Sequence, residues 1–420
     1  MVRQKAVVLF LLLSCLLSTI ALADKLEGGG YTLYNTINSG GATLQGGGYT
    51  LTDTKGEIIG GKMTGGGYEF IPWIFGMSSS VQATSTEETP PLGTVPLTIS
   101  RDGANIKIKW DLKYGNDTVI YYSTGNGEGQ FNNSDLTKWV VAAGVDFIDD
   151  SMMNQCIFHK DQVGAGAKDK EVYYKGFLKT AVPGSTSTDS RFSGKTILET
   201  AWAVGKVNVS LKGTANVQGK NLVSVPFKCQ QGSKVKDVFG EGSGSVWKEG
   251  DIVQYKFAAS PAYYSAIYTS ANVWKDAANA NDDPKFEIDY KFGNWVITKD
   301  DKTITVVGEV VNKDTVVPVF SGAGETTGGK TLLGMVYPVR LGLTSTSLIN
   351  NGAADGDLIQ YKISPLNEAY ISAIVMGGAW KSASNPSNPL EKEIDVLAIP
   401  NSYIFVRYKN SGFDWNRAKP

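Results

Sequence analysis

Apolar and polar residues alternate along much of this chain, and the alternation has the period of a β-strand. Beyond residue 95 it runs through PLTISRDG, ANIKIKWDL, TVIYYSTG and, further on, KEVYYKGFL. Side chains two positions apart share one face of a strand, so each segment predicts a strand with one face buried and the other wet. The Asp-Gly and Gly-Asn-Asp interruptions supply residues that tight turns use. Shorter alternating stretches come earlier: Gly-Gly-Gly-Tyr stands at 28–31, 46–49 and 65–68, followed in turn by YTLYNTI, YTLTDTK and YEFIPWI. The starts are 18 and 19 residues apart, which leaves room for a strand, a turn and a returning strand. Residues 77–94, MSSSVQATSTEETPPLGT, carry few large apolar side chains and read as a linker.

A longer repeat occupies the second half. Glu249-Gly250-Asp251-Ile252-Val253-Gln254-Tyr255-Lys256 recurs as Asp355-Gly356-Asp357-Leu358-Ile359-Gln360-Tyr361-Lys362, and Trp274-Lys275 recurs as Trp380-Lys381. The offset is 106 at Gly250/Gly356 and at Trp274/Trp380, and 107 at Ser265/Ser372. So constant an offset means a duplicated module. Upstream, Asn221-Leu-Val-Ser-Val-Pro226 pairs more loosely with Leu333-Gly-Met-Val-Tyr-Pro338. The expected architecture is all-β: a glycine-rich β-repeat over 24–76, the linker 77–94, a sandwich over 95–200, and tandem sandwich-like copies over 205–310 and 315–420.

Three of these stretches resemble known modules. The Gly-Gly-Gly-Tyr blocks, with Lys62-Met63-Thr64 before the third, resemble a glycine-rich stretch found near the ends of secreted proteins from environmental bacteria. Ile106-x-Ile108-x-Trp110, Ile120-Tyr121-Tyr122 and Val172-Tyr173-Tyr174 resemble the second, third and sixth strands of a fibronectin type III domain. The stretch from Tyr122 to Tyr173 is longer than that family uses, so an insertion or a different sandwich is expected. Val-Ser-Val-Pro, then Gly-Asp-x-Ile-x-x-Tyr and a later Trp-Lys, resembles the "N-L-V-S-V-P" modules of secreted bacterial proteins. As a whole the chain resembles a bacterial, secreted, multi-module surface protein. The resemblance implies binding or spacer modules without catalysis, and a core position for Trp110.

The N-terminus agrees with export. Arg3 and Lys5 precede an apolar run that ends at Ala21-Leu22-Ala23, the layout of a signal peptide over 1–23 with the mature chain beginning near Asp24. An uncleaved anchor, or a lipoprotein acylated at Cys15 within Leu12-Leu13-Ser14-Cys15, are the alternatives. Lys plus Arg number 40 against 41 Asp plus Glu, a net charge of −1, so no global field draws the chain to nucleic acid or anionic lipid.

Few residue types remain for chemistry. Beyond Ala23 the cysteines are Cys156 and Cys229, which either form one disulfide or stand as two separate buried thiols. His159 follows Cys156 at a Cys-x-x-His spacing, two ligands where zinc wants three or four. As a nucleophile and base the two are no better, since residues three apart on a strand face opposite ways. Asp149-Asp150, Asp282-Asp283, Asp251 and Asp357 are the candidate carboxylates. Pairs of them suit glycoside hydrolysis, and Asp282 with Asp283 suits a calcium loop, but Asp beside Gly or Asn is ordinary turn chemistry. Trp274 and Trp380 are the candidates for stacking on a sugar, with core packing as the competing role. No cofactor is expected. The expected function is a secreted or cell-surface structural, adhesion-type protein without catalysis. A glycan-binding protein using Trp274 and Trp380 is the alternative, and an extracellular hydrolase the third. The expected partner is a cell-surface or extracellular glycan or protein, or a second copy of the chain.

Overall fold

A computed structural model describes residues 89–419 apart from 126–128, 257–261 and 322–328, together with the backbone of six earlier strands. The protein is all-β, and it has two compact units, 1–88 and 89–420. The expected signal peptide, and the expected linker up to residue 88, lie outside the described residues.

In the first unit β1 (Asp24–Gly28) pairs with β2 (Tyr31–Asn35). A second antiparallel sheet runs in chain order through β3 (Thr43–Gly46), β4 (Tyr49–Asp53), β5 (Gly61–Gly65) and β6 (Tyr68–Phe70). Gly28 stands opposite Tyr31, Gly46 opposite Tyr49 and Gly65 opposite Tyr68. Each Gly-Gly-Gly-Tyr block therefore closes a hairpin, with two glycines between its paired ends. Two-residue hairpin loops favour glycine because their turns need positive φ. The strand before each tetrapeptide thus belongs to the repeat as much as the strand after it.

The second unit begins as a two-sheet sandwich. Its strands are β7 (Thr94–Val95), β8 (Thr98–Asp102), β9 (Asn105–Lys109), β10 (Thr118–Gly125), β11 (Val140–Val141), β12 (Phe147–Asp150), β13 (Cys156–His159), β14 (Glu171–Leu178) and β15 (Ala203–Leu211). One sheet has the order β12-β13-β9-β8; the other runs β11-β10-β14-β15, with β7 against the end of β14. Ile99, Ile106, Ile108 and Trp110 from the first sheet meet Ile120, Val172, Tyr174 and Val204 from the second in one core. The outer edge of β8 is closed by a side chain: Gln230 accepts from the Ile99 N–H (2.9 Å) and donates to the Leu97 carbonyl (2.9 Å). That satisfies backbone groups which would otherwise invite another strand.

Two copies of one module follow. The first holds β16 (Gly219–Ser224), β17 (Ile252–Lys256), β18 (Tyr263–Tyr268), β19 (Trp274–Asp276), β20 (Gly293–Thr298) and β21 (Lys302–Glu309). The second holds β22 (Thr315–Val319), β23 (Gly329–Leu333), β24 (Leu341–Gly342), β25 (Leu358–Lys362), β26 (Tyr370–Met376), β27 (Ala379–Ser382), β28 (Val396–Leu397), β29 (Tyr403–Arg407) and β30 (Phe413–Arg417). The five-stranded sheets have the same order, β16-β20-β17-β18-β19 and β23-β29-β25-β26-β27. Each faces a second pair of strands, β15 with β21 in the first copy and β22 with β30 in the second. Register places Asn221 opposite Val296, and Thr331 opposite Phe405. Asn221 therefore matches Thr331, two residues earlier than the sequence comparison suggested.

The parts are joined through their sheets. β15 pairs with β14 on one side and β21 on the other, so one sheet crosses the boundary expected near residues 200–205. The two copies meet through equivalent positions: Val223 bridges to Asn401, and Leu333 bridges to Phe292. The flanking hydrogen bonds repeat as well, from the Ser224 N–H to the Pro400 carbonyl (2.8 Å) and from the Gly334 N–H to the Lys291 carbonyl (3.0 Å). That reciprocity is the mark of an isologous, two-fold contact, here made within one chain. Trp295, Leu332, Ile404 and Val406 fill the space between the two sheets.

Candidate functional site

Most of the side chains singled out for chemistry serve the fold. Trp274 and Trp380 are only 2% and 6% exposed. Trp274 donates its indole N–H to the Gly240 carbonyl (2.8 Å) and meets Trp247 and Tyr268 edge-on, while Trp380 meets Phe405 edge-on. Neither ring is available to stack on a sugar. Asp282 lies 3.5 Å from the Lys285 ammonium and accepts from Asn279 (3.1 Å), and Asp283 pairs with Lys275 (2.9 Å). Lysines thus occupy the carboxylates that a calcium ion would need. Among the described residues no three His, Cys, Asp or Glu side chains converge as a metal site. Cys156 and Cys229 are both free thiols rather than a disulfide. Cys156 sits in β13 with its Sγ 3.6 Å from an Asp150 oxygen, whereas Cys229 points at the Asp237 carbonyl (3.8 Å) beside the first copy. Burial pushes both thiols up.

Asp251 and Asp357 are turn residues, as duplication of the Gly-Asp pair suggested. Gly250 and Gly356 have φ of +85° and +93°, a conformation that favours glycine. Each aspartate then accepts from the backbone N–H three residues before it, Lys248 (2.7 Å) in one copy and Ala354 (2.9 Å) in the other. His159 is buried with its Nδ1 2.8 Å from the Tyr174 hydroxyl and its Nε2 3.2 Å from the Gln162 amide nitrogen. Burial takes its pKa from 6.5 down to about 4, so the ring is neutral at pH 7.

The least ordinary group is a lysine. In β14 the period of two places Tyr173, Lys175 and Phe177 on one face and Val172 and Tyr174 on the other. Tyr174 and Val172 enter the sandwich core, while Tyr173 and Phe177 join the second core on the outside of the sheet. Lys175 shares that outer face and is fully buried, because the chain between β10 and β11 and the one-turn helix Ile197–Thr200 cover it. Its Nζ contacts three oxygens: Asn133 Oδ1 at 2.6 Å, the Asn133 carbonyl at 3.2 Å and the Leu198 carbonyl at 2.6 Å. The Trp139 ring lies 4.7 Å away and the Phe131 ring 5.9 Å away. The Asn133 amide donates to the Glu199 carbonyl (3.0 Å). On the same face the buried Glu171 carboxylate accepts from the Gly129 (3.2 Å) and Gln130 (2.8 Å) N–H groups. Desolvation lowers the Lys175 amine to about 7, against the pull of the Glu199 charge. The result is an amine that titrates near neutrality, walled by aromatic rings and held against a carboxamide.

Comparison with protein-family models, curated proteins and solved structures found no match for this chain.

A second buried lysine, Lys206 of β15, ties down the loop after β13: its Nζ donates to the Gln162 carbonyl (3.0 Å) and to the Asp169 carbonyl. Burial brings it to about 8. Neither lysine was among the residues picked from the sequence. The signal was available, since Lys175 falls in step with Tyr173 and Phe177 in KEVYYKGFL, and a charged residue in step with buried aromatics is either covered or misassigned.

Proposed function

We propose that this is a secreted or cell-surface protein of structural, adhesion type, without catalytic activity. The observation that carries the reading is the way its parts are joined. β15 belongs to the sandwich sheet and to the first copy at once, and the second copy is bonded to the first by reciprocal backbone bridges. A chain coupled in this way passes load from one part to the next through hydrogen-bonded strands and shared cores. An extended linker between folded modules would stretch first; strand sharing resists that.

Export is supported by the charged start, apolar run and Ala21-Leu22-Ala23 of residues 1–23. A fibronectin type III-like spacer role for the sandwich is supported by the strand orders β12-β13-β9-β8 and β11-β10-β14-β15 and by the buried Trp110 between them. The glycan-binding alternative loses its two residues with the burial of Trp274 and Trp380.

Fractionation of the producing cells, with N-terminal sequencing of the recovered protein, tests the localisation: a mature chain starting at Asp24 outside the cytoplasmic membrane is expected, and full-length protein confined to the cytoplasm overturns it. Pulling single molecules from both ends tests the structural role. Residues 89–419 should resist as a coupled unit; sequential low-force unfolding of the sandwich and of each copy overturns that role.

A further inference from the structure

We propose that Lys175 and Asn133 condense into an intramolecular amide cross-link, in which the Lys175 Nζ bonds to Cγ of Asn133 and the Cγ–Nδ2 bond breaks with release of ammonia. This goes beyond the structural reading above and does not depend on it. The reaction is a transamidation: one N–H of the amine is exchanged for a C–N bond, the departing NH₂ leaves with that hydrogen as NH₃, and nothing is oxidised or reduced.

The geometry is that of a held nucleophile and electrophile. Nζ lies 2.6 Å from Asn133 Oδ1, so the carboxamide carbon is one carbonyl bond, about 1.23 Å, behind the atom it touches. Both partners are fixed: Lys175 by a central strand with the Trp139 and Phe131 rings along it, Asn133 by its own donation to the Glu199 carbonyl. Fixing two reactants at this separation replaces a slow bimolecular encounter, and the gain in such intramolecular reactions reaches effective concentrations of about 10⁵ M and above.

The protonation state follows from the surroundings. Three oxygens face Nζ. An ammonium has three N–H bonds to give them; the neutral amine has two N–H bonds and a lone pair. When the proton leaves, one of the three contacts must become a lone-pair contact. Against the carbonyl oxygens that contact is repulsive, and it is relieved by turning the lone pair onto the Asn133 carboxamide carbon. Burial makes the neutral form abundant near pH 7. The amide nitrogen that must depart is held by the Glu199 main-chain carbonyl, while the Glu199 carboxylate accepts from the Thr196 N–H and hydroxyl at the start of the helix.

The test is the mass of the purified mature protein, set against the sequence from its own first residue. It should be lighter than its sequence requires by one ammonia, and trypsin should release residues 114–138 and 171–179 as a single branched peptide, uncut at Lys175. Asn133→Ala and Lys175→Met should each restore the full mass, while Lys206→Met, a change at the other buried lysine, should keep the ammonia loss. A folded wild-type chain with the full mass and two separate peptides overturns the cross-link, as does an ammonia loss that persists in Asn133→Ala. The wild-type measurement decides even if Lys175→Met does not fold.

Discussion

The two copies of the repeated module solve one problem with different residues. Each buries an aspartate after a glycine of positive φ, and each holds both carboxylate oxygens by backbone N–H groups: Lys248 and Lys299 in the first, Ala354 and Tyr408 in the second. The next strand is held alike, with Gly250 and Asp251 bonded to Tyr268, and Gly356 and Asp357 bonded to Val375. The balancing cation differs. In the first copy it is Lys302 at the start of β21; in the second it is Arg407 at the end of β29. The carboxylate is fixed by turn geometry, which leaves no freedom of position. The cation needs only to reach it, so either of two strands supplies one. Duplication has preserved what the backbone dictates and has let the charge wander.

Removing the aspartates should have the largest effect. A buried cation that loses its partner costs about 3–5 kcal/mol. Lys302 retains Asp300 at 2.9 Å, whereas Arg407 retains the carbonyls of Gly352 (2.7 Å) and Ser411 (2.8 Å) and the Phe413 ring, and no second carboxylate among the described residues. Asp357→Ala should therefore fall near the top of that range and Asp251→Ala near the bottom. Denaturant unfolding of each variant, with hydrogen exchange read separately at β17 and β25, measures both losses. Equal losses would mean that the Asp300 contact offsets nothing.

Acid should distinguish the sandwich from the copies. The chain has one histidine, His159, and it lies in the sandwich. Its folded pKa of about 4 is below its ordinary 6.5, so between those values the unfolded chain binds a proton that the folded chain does not. Stability is therefore undiminished above pH 6.5 and falls as the pH drops toward 4, by up to about 3 kcal/mol from this residue. Exchange at β13 and β14 should rise across that window before exchange at β17 and β25. His159→Gln should flatten the difference. If the copies loosen first, carboxylates rather than His159 govern the response.

How far these differences can be read in advance depends on what carries them. The alternating strands, the duplication and the Gly-Asp turn are local patterns, and ANIKIKWDL or GDIVQYK displays them directly. Boundaries are not local: the alternation of β15 is the same whichever sheet claims it, so AVGKVNVSL marks no edge between the sandwich and the first copy. A slip of two residues is likewise invisible, because it keeps every side chain on its own face. That is why Asn221 was set against Leu333 instead of Thr331. The burial of Trp274 and Trp380 depends on which strands cover them, Phe405 from β29 in the second case, and turn position alone says nothing of that. Lys175 was legible in its face but not in its cover, which comes from Asn133 on one side, 42 residues away, and Leu198 on the other, 23 residues away.

A smaller difference between the copies should change sign. Asn294 of β20 and Tyr403 of β29 stand at equivalent positions, opposite Val223 and Leu333. The Tyr403 hydroxyl accepts from the Ala398 N–H (3.0 Å), while the fully buried Asn294 carboxamide has no hydrogen-bond partner among the described residues. Asn294→Leu should stabilise the protein by about 1–2 kcal/mol, since it removes an unpaired polar group from an apolar core. Tyr403→Phe should destabilise it by about 1 kcal/mol by leaving the Ala398 N–H without its acceptor. Shifts of the unfolding midpoint in opposite directions are expected. A loss in Asn294→Leu would mean that shape at this position outweighs polarity.

The smallest effect is the one in which the copies should agree. Gln254 donates to Ser265 across β17 and β18 at 3.1 Å, and Gln360 donates to Ser372 across β25 and β26 at 3.1 Å. Both are directly opposed cross-strand pairs, on the face of each sheet that carries Trp295 or Ile404 toward the other copy. Such pairs contribute about 0.2–1 kcal/mol. Double-mutant cycles with Gln→Ala and Ser→Ala in each copy should give coupling energies that agree within about 0.5 kcal/mol, the usual limit of additivity. The remaining neighbours differ: Gln254 also stands opposite Trp295, and Gln360 opposite Ile404. A larger disagreement would therefore trace to the residues packed between the two sheets, and would show that the two-fold contact alters pairs whose own geometry is the same.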